Sequence, residues 1–215
     1  MNRRLLLMAI PGLLTACTSY NKTGGIFNAS IDPYYRKLYG PITTEPYPIA
    51  AVDLHRIDPI YLRREVSYPT SYAPGTIVID PSKFFCYFVL PGGRAIRYGV
   101  GVAHNRSANF RGQAVIGRKA VWPHWSPTKN MMRTQPQRYG HLGGGLPPGP
   151  SNPLGSRALY LYRNGQDTLF RLHGTTEPWS IGTNVSSGCI RFLNHDIIDL
   201  YNRVPVGTRA VVLSG

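Results

Sequence analysis

Valine and isoleucine alternate along Thr76–Asp80, and after Pro81-Ser82-Lys83 comes an unbroken apolar run, Phe84-Phe85-Cys86-Tyr87-Phe88-Val89-Leu90. Both stretches read as strands. Pro91-Gly92-Gly93 is a tight turn, so the second strand is expected to form a hairpin with Arg94–Ala103. Gln113–Trp122, Arg157–Tyr162, Thr168–His173 and Thr208–Leu213 complete the strand set, with Asn164-Gly165 as a second hairpin turn. Helical spacing is rarer. Ile197, Ile198 and Tyr201 lie on one face of Asn194–Arg203, for which Asn194 is the expected cap. Ser126–Gln135 predicts a short helix with Ser126 as cap and Pro127 in the first position, and Asp58-Pro59 predicts another over Asp58–Val66. Tyr139–Pro153, with three consecutive glycines and four prolines, has nothing to build a core from and is expected at the surface.

Composition adds the fold class. Among 215 residues, 23 glycines, 19 prolines and 14 tyrosines point to a mainly β, β-rich α+β fold with many turns. That length suits one domain with some tail. Four segments are expected: a signal peptide at 1–16, an extended Pro- and Tyr-rich tether at 17–56, an extension packed on the domain at 57–74, and the domain itself at 75–215. The formal net charge is +14. Basic residues are scattered singly and in pairs, with no nucleic-acid-binding motif, so nucleic acid is not an expected partner. An anionic polymer or an anionic membrane surface fits the charge better.

Arg3 and Arg4 precede the apolar Leu5–Leu14, which is too short to span a membrane. Leu14-Thr15-Ala16-Cys17 resembles a bacterial lipobox. In that reading Cys17 is lipidated and becomes the first mature residue. A periplasmic lipoprotein anchored to a membrane follows. Thr18, where an aspartate would favour inner-membrane retention, makes the outer membrane the expected site.

The candidate chemistry lies in His173–Phe192, HGTTEPWSIGTNVSSGCIRF. A thiol becomes a strong nucleophile when a base takes its proton or a charge stabilises the thiolate, and a histidine does either. His173 and Cys189 are too far apart in sequence for one helix face, so two strand ends must bring them together. Gly188 lets backbone N–H groups of Ser187, Gly188 and Cys189 crowd around a developing oxyanion. Arg191 offers a planar fork to a carboxylate, and Trp179, inside the loop, is a candidate cleft residue. Trp122 and Trp125 can line a groove or pack in the core. His124 and His141 border the same region, whereas His55, His104 and His195 read as surface or capping residues. The six histidines show no compact metal-ligand spacing, so no metal is expected. Cys86, within an apolar strand, reads as a buried inert thiol. Gly99-Val100-Gly101 reads as a strand in close contact with another element, not as a phosphate loop.

The HGT and SSGCIR strings, with Ile116-Gly117-Arg118-Lys119-Ala120-Val121-Trp122-Pro123 and Asn152-Pro153-Leu154-Gly155-Ser156-Arg157-Ala158-Leu159, resemble the L,D-transpeptidase (YkuD-type) catalytic domain. The resemblance runs from Gly75 to Leu213 and is greatest to the longer bacterial branch. It implies a mixed β-sandwich with short helices, no cofactor, and peptidoglycan as partner. Cys189 would be the nucleophile and His173 its base. The Gly174 carbonyl and Ser186 would orient the histidine. The expected reaction forms a thioester at a diamino acid, releases D-alanine and transfers the acyl group to an amine. That amine belongs to a second stem peptide or to an outer-membrane protein or lipoprotein. Acylation of the cysteine by carbapenems is implied as well. Ser187 stands where the commonest form of the family has a second histidine. An L,D-carboxypeptidase or amidase working from the same site, and a non-catalytic wall-binding lipoprotein, are the other readings.

Overall fold

The computed structural model describes residues 31–103, 110–186 and 188–214, with Ser186 described by its backbone alone. The expected signal peptide, Cys17, the first part of the tether, His104 and Ser187 lie outside these residues.

Eleven strands and four short α-helices are present among the described residues. The strands are β1 (Arg64–Ser67), β2 (Ile77–Asp80), β3 (Phe85–Leu90), β4 (Arg94–Gly99), β5 (Val102–Ala103), β6 (Gly112–Val121), β7 (Arg157–Arg163), β8 (Gln166–His173), β9 (Asn184–Ser186), β10 (Ile190–Arg191) and β11 (Arg209–Val212). The helices are α1 (Pro33–Leu38), α2 (Lys129–Thr134), α3 (Pro136–Tyr139) and α4 (Asn194–Arg203). Nine strands form one sheet in the order β1-β4-β3-β2-β11-β6-β7-β8-β10, and β5 pairs with β9 in a small parallel ribbon. Within the large sheet β11 runs parallel to β2 and β10 parallel to β8. Both expected hairpins form. Gly92 and Gly93 take positive φ between β3 and β4, and Asn164 and Gly165 do so between β7 and β8. Such a turn follows the right-handed twist of its strands.

The main core joins the inner faces of β2, β3, β4, β6, β7 and β8 to Ile197 and Leu200 of α4. Leu159, Leu172, Ile197 and Leu200 are wholly buried. Each such side chain contributes about 1.5–3 kcal/mol of apolar burial, so α4 is held by packing more than by intrinsic propensity.

Three local expectations are corrected. The helix after Trp125 starts at Lys129, and its cap is Thr128, whose Oγ1 accepts from Met131 N at 3.1 Å. Asp58-Pro59 begins only a 3₁₀ turn at Pro59–Tyr61, because residues 64–67 are taken as an edge strand by β4. α4 has no side-chain cap: Leu193 occupies the cap position, and the Asn194 side chain is used elsewhere.

From residue 31 onward the segment expected as extended tether is folded onto the domain. Tyr39 is buried, and its hydroxyl donates to Asp196 on α4 at 3.0 Å while accepting from Arg63 N at 2.7 Å. A second core unites Tyr39, Leu54, Ile57 and Leu62 with Ile181 and Leu193. These apolar residues carry no local period because their partners come from distant parts of the chain. His195, expected as a surface or capping residue, is buried here, with Nε2 at 2.6 Å from the Gly40 carbonyl oxygen.

Glu45 fastens the same segment to the start of β7. Its carboxylate accepts from Arg157 Nη1 at 2.8 Å and from Trp122 Nε1 at 2.9 Å. The Arg157 hydrogen bond holds the carboxyl below the usual carboxylate range, although partial burial opposes it. The stabilisation is therefore present above the unfolded pKa and lost as pH falls through the depressed folded value. Both side chains are largely buried, so removing one leaves the other charge unpaired. Glu45→Gln is expected to cost about 3 kcal/mol in urea unfolding at pH 7. An unchanged midpoint would show that the clasp contributes no stability.

Candidate active site

β8 ends at His173 and β10 starts at Ile190, and their parallel register sets Leu172 opposite Ile190 and His173 opposite Arg191. Cys189, one residue before β10, is thereby brought to the end of β8. His173, Gly188, Cys189 and Arg191 line one cleft of about 690 Å³. The two strand ends expected from the sequence are these.

The imidazole is oriented from behind. His173 Nδ1 lies 2.6 Å from the Gly174 carbonyl oxygen, so Nδ1–H donates and Nε2 carries the lone pair. The ring is buried, and this pushes its pKa down to about 4. The Gly174 hydrogen bond works against the drop, while the charges of Arg191 and Arg171 add to it. Burial raises the Cys189 thiol above its ordinary value, opposed by the Arg171 backbone N–H and the charges of Arg171 and Arg191. Both directions favour a neutral thiol beside a neutral imidazole. Of the two roles expected for His173, acceptance of the thiol proton fits this better than a standing ion pair.

Gly188 has φ +139°, in the range that favours glycine, directly before the thiol. Arg191 reaches the cleft, but its Nη1 is paired with Glu177 Oε2 at 2.6 Å. A substrate carboxylate would have to share the guanidinium with Glu177 or displace it. Ser186 lies in β9, whose register places it opposite Ala103.

Trp125 lines the Cys189 cleft, together with Met131, Tyr139, Leu142 and Leu146 from the α2–α3 region. Trp179 does not. It is half-exposed and lines an adjoining cavity of about 350 Å³ with Trp122, and the Arg56 guanidinium sits 4.6 Å from its ring centre. The two cavities share Thr176. His124 and His141 are exposed and lie outside the cleft lining. Cys86 is buried and free, burial raises its thiol pKa, and no disulfide joins it to Cys189. Among the described residues no group of three or more His, Cys, Asp or Glu could hold a metal. Gly99 is closed in by Tyr61, and a Cβ on Gly101 would come within 2.8 Å of the Ser180 carbonyl oxygen. That pair of glycines is consumed by packing.

Two working residues were given no role from the sequence. Asn152 is fully buried, and its Nδ2 donates to the carbonyls of Pro123, Leu146 and Pro147 at 2.9, 3.2 and 3.0 Å. The signal was available: a loop so rich in proline has carbonyls that no strand satisfies, and an amide side chain meets that need. Leu169 reaches the cleft from a bulge in β8, with φ +65° and a largely exposed side chain, and its carbonyl is 3.9 Å from the Cys189 sulfur. Nothing local in the sequence marks that bulge.

Comparison with known proteins follows the same residues. The L,D-transpeptidase catalytic domain family, YkuD, matches residues 74–212. The chain is 35% identical over 140 residues to the probable L,D-transpeptidase ErfK/SrfK of Escherichia coli strain K12, covering 64% of this chain and 43% of that protein. It is 34% identical over 135 residues to the probable L,D-transpeptidase YbiS of the same strain, covering 62% and 42%. The chain thus spans less than half the length of these curated relatives. A crystal structure described as a probable carnitine operon oxidoreductase caia from Brucella melitensis is 48% identical, with a TM-score of 0.51, covering 73% of this chain and 96% of that one.

Proposed function

The chain belongs to the L,D-transpeptidase catalytic-domain family, and from that premise we propose that it is a cysteine-dependent acyltransferase acting on peptidoglycan stem peptides. The observation that carries this reading is His173 in the Cys189 cleft, its Nδ1–H engaged by Gly174 and its Nε2 left to accept a proton.

In the reaction, Cys189 Sγ attacks the carbonyl at the L-centre of the diamino acid as His173 Nε2 takes the thiol proton. The carbonyl π electrons move to oxygen, and backbone N–H groups of Ser187, Gly188 and Cys189 hold that charge. The C–N bond to D-alanine then breaks, and His173 returns the proton to the leaving amine. An acceptor amine attacks the thioester and loses a proton to His173. The C–S bond breaks, and that proton reforms the thiol. Arg191 supplies a fork for a substrate carboxylate once Glu177 yields it.

The Leu14-Thr15-Ala16-Cys17 string supports lipidation at Cys17 and a periplasmic enzyme tethered to the outer membrane. The same thioester would accept an amine from a stem peptide or from an envelope protein. The Brucella melitensis structure is described as an oxidoreductase. The thiol, base and glycine turn here match acyl transfer, and Gly99-Val100-Gly101, the segment nearest to a nucleotide-binding pattern, is filled by packing.

The test uses the chain from Thr18 onward with tetrapeptide-rich peptidoglycan, reading the muropeptides by mass spectrometry. Cross-links between two diamino acids are the expected product. D-alanine release or peptide trimming without new cross-links would replace the transferase with a hydrolase. Unchanged muropeptides, with an added protein amine also unmodified, would overturn the enzyme reading.

A further inference from the structure

Asn194 is the first residue of α4, yet its side chain does not cap the helix. It turns toward the strand ends that hold His173. Asn194 Oδ1 accepts from Ser156 N at 3.0 Å and from Ser156 Oγ at 3.3 Å, just before β7. Its Nδ2 donates to the Thr175 carbonyl at 2.9 Å. Ser156 and Thr175 are themselves buried. The amide thus ties together the residue before β7 and the second residue after β8.

Between these two tethers lies Gly174. Its N–H donates to the Arg157 carbonyl at 3.1 Å, and its own carbonyl receives His173 Nδ1–H at 2.6 Å. A Cβ on Gly174 would run into Asn194 Oδ1, and so would one on Gly155. The carboxamide therefore fills the space a side chain would take beside the His173-Gly174-Thr175 backbone. Holding the Thr175 carbonyl on one side and Ser156 on the other leaves the Gly174 peptide plane little freedom to turn. That plane determines which way the carbonyl facing His173 points, and hence where Nε2 is aimed.

We infer that Asn194 is a positioning residue, which through the Gly174 peptide holds His173 in the tautomer and orientation that present Nε2 to Cys189. The inference rests on the proposed acyl transfer for its kinetic consequence but not for its structural one. The charges acting on the imidazole are the guanidinium of Arg191 on β10 and that of Arg171 on β8, and Cys189 lines the same cleft. Asn194 adds no charge, so its effect must come through geometry and burial.

The experiment compares wild type, Asn194→Ala and Asn194→Asp in the chain from Thr18 onward. Asp keeps the acceptor half of the tie but turns a carboxylate oxygen toward the Thr175 carbonyl and adds a charge, so its His173 tautomer is the readout and its midpoint is not. The first readout is ¹⁵N NMR of His173 across pH, which needs no substrate. Wild type is expected to show a protonated Nδ1 and an acid midpoint near 4. In Asn194→Ala, mixed tautomers are expected, with the midpoint moved further down because the Gly174 hydrogen bond that opposes the drop is loosened. The second is the muropeptide assay, with kcat reduced about 10–100-fold and KM changed less than about twofold. A folded Asn194→Ala whose His173 tautomer and midpoint match wild type would overturn the inference. Should Asn194→Ala fail to fold, the Nδ1 tautomer of His173 in Asn194→Asp decides it. A shifted His173 titration in a protein that makes no cross-links would sustain the positioning role while sinking the proposed reaction.

Discussion

Cys189→Ala is expected to abolish cross-link formation, lowering turnover by at least about 10³-fold while leaving the fold intact. The side chain sits at a strand entry and is only partly buried, so losing one sulfur atom leaves no large cavity. Cys189→Ser is the sharper variant. A serine hydroxyl is far less acidic than a thiol, and an imidazole whose pKa is pushed down to about 4 is a weak base. Serine is therefore expected to be as inactive as alanine despite its similar size. Intact-protein mass spectrometry with a carbapenem reads the same chemistry without cell wall: one covalent adduct on wild type and none on either variant. Cys86 supplies an internal control, since it is wholly buried and burial raises its thiol pKa. An active Cys189→Ser, or an adduct that survives Cys189→Ala, would show the nucleophile to be another group.

The second large effect is on pH dependence. His173 works only while neutral, and its pKa lies near 4, below the usual value for imidazole. The acid limb of kcat/KM is therefore expected near pH 4, with activity level through neutrality. The alkaline limb belongs to the thiol, which burial raises, and lies above the ordinary cysteine range. Between the limits the enzyme holds one proton for the pair, which serves as thiol plus base. His173→Gln removes that base and is expected to lower kcat by about 10²–10⁴-fold and to erase the acid limb. Thiolate absorbance near 240 nm checks the resting state independently. Substantial thiolate at pH 6 in the free protein would show an ion pair in place of the neutral one.

The same pKa also bears on stability. A histidine held below its unfolded value contributes stability above that value and loses it as pH falls toward 4, so acid unfolding and the acid limb overlap. Circular dichroism run beside the kinetics separates them.

The strand pattern and the chemistry were legible in the sequence for different reasons. β2, β3, β7 and β8 are short, apolar and bounded by turn residues, so local preference and burial agree. His173 and Cys189 stood out as candidates because the HGT and SSGCIR strings around them resemble the family's signature; a lone cysteine and a lone histidine carry little by themselves. For Trp179, sequence proximity to the site suggested the cleft without any distance information, and the 3₁₀ turn at Pro178–Ser180 places it in the wall of the adjoining cavity. Arg191 was read as a fork for a substrate carboxylate with an ion pair as the other reading, and nothing in the sequence announces that Glu177 is the partner that reaches it.

The sequence by itself determined the β-rich class, the hairpin turns, the candidate thiol and base, and a glycine before that thiol. These follow from periodicity, backbone freedom and side-chain chemistry, which act within a few residues. Only the tertiary structure decided that residues 31–56 fold onto the domain, that Glu45 clasps Arg157, that Asn194 ties the loop behind His173, and that burial raises the thiol pKa and lowers that of the imidazole. Each of these depends on burial or on partners that the fold brings in from 19 to 157 residues away. The cost of removing a charge from water, and the partner that offsets it, are set by where the folded chain places them.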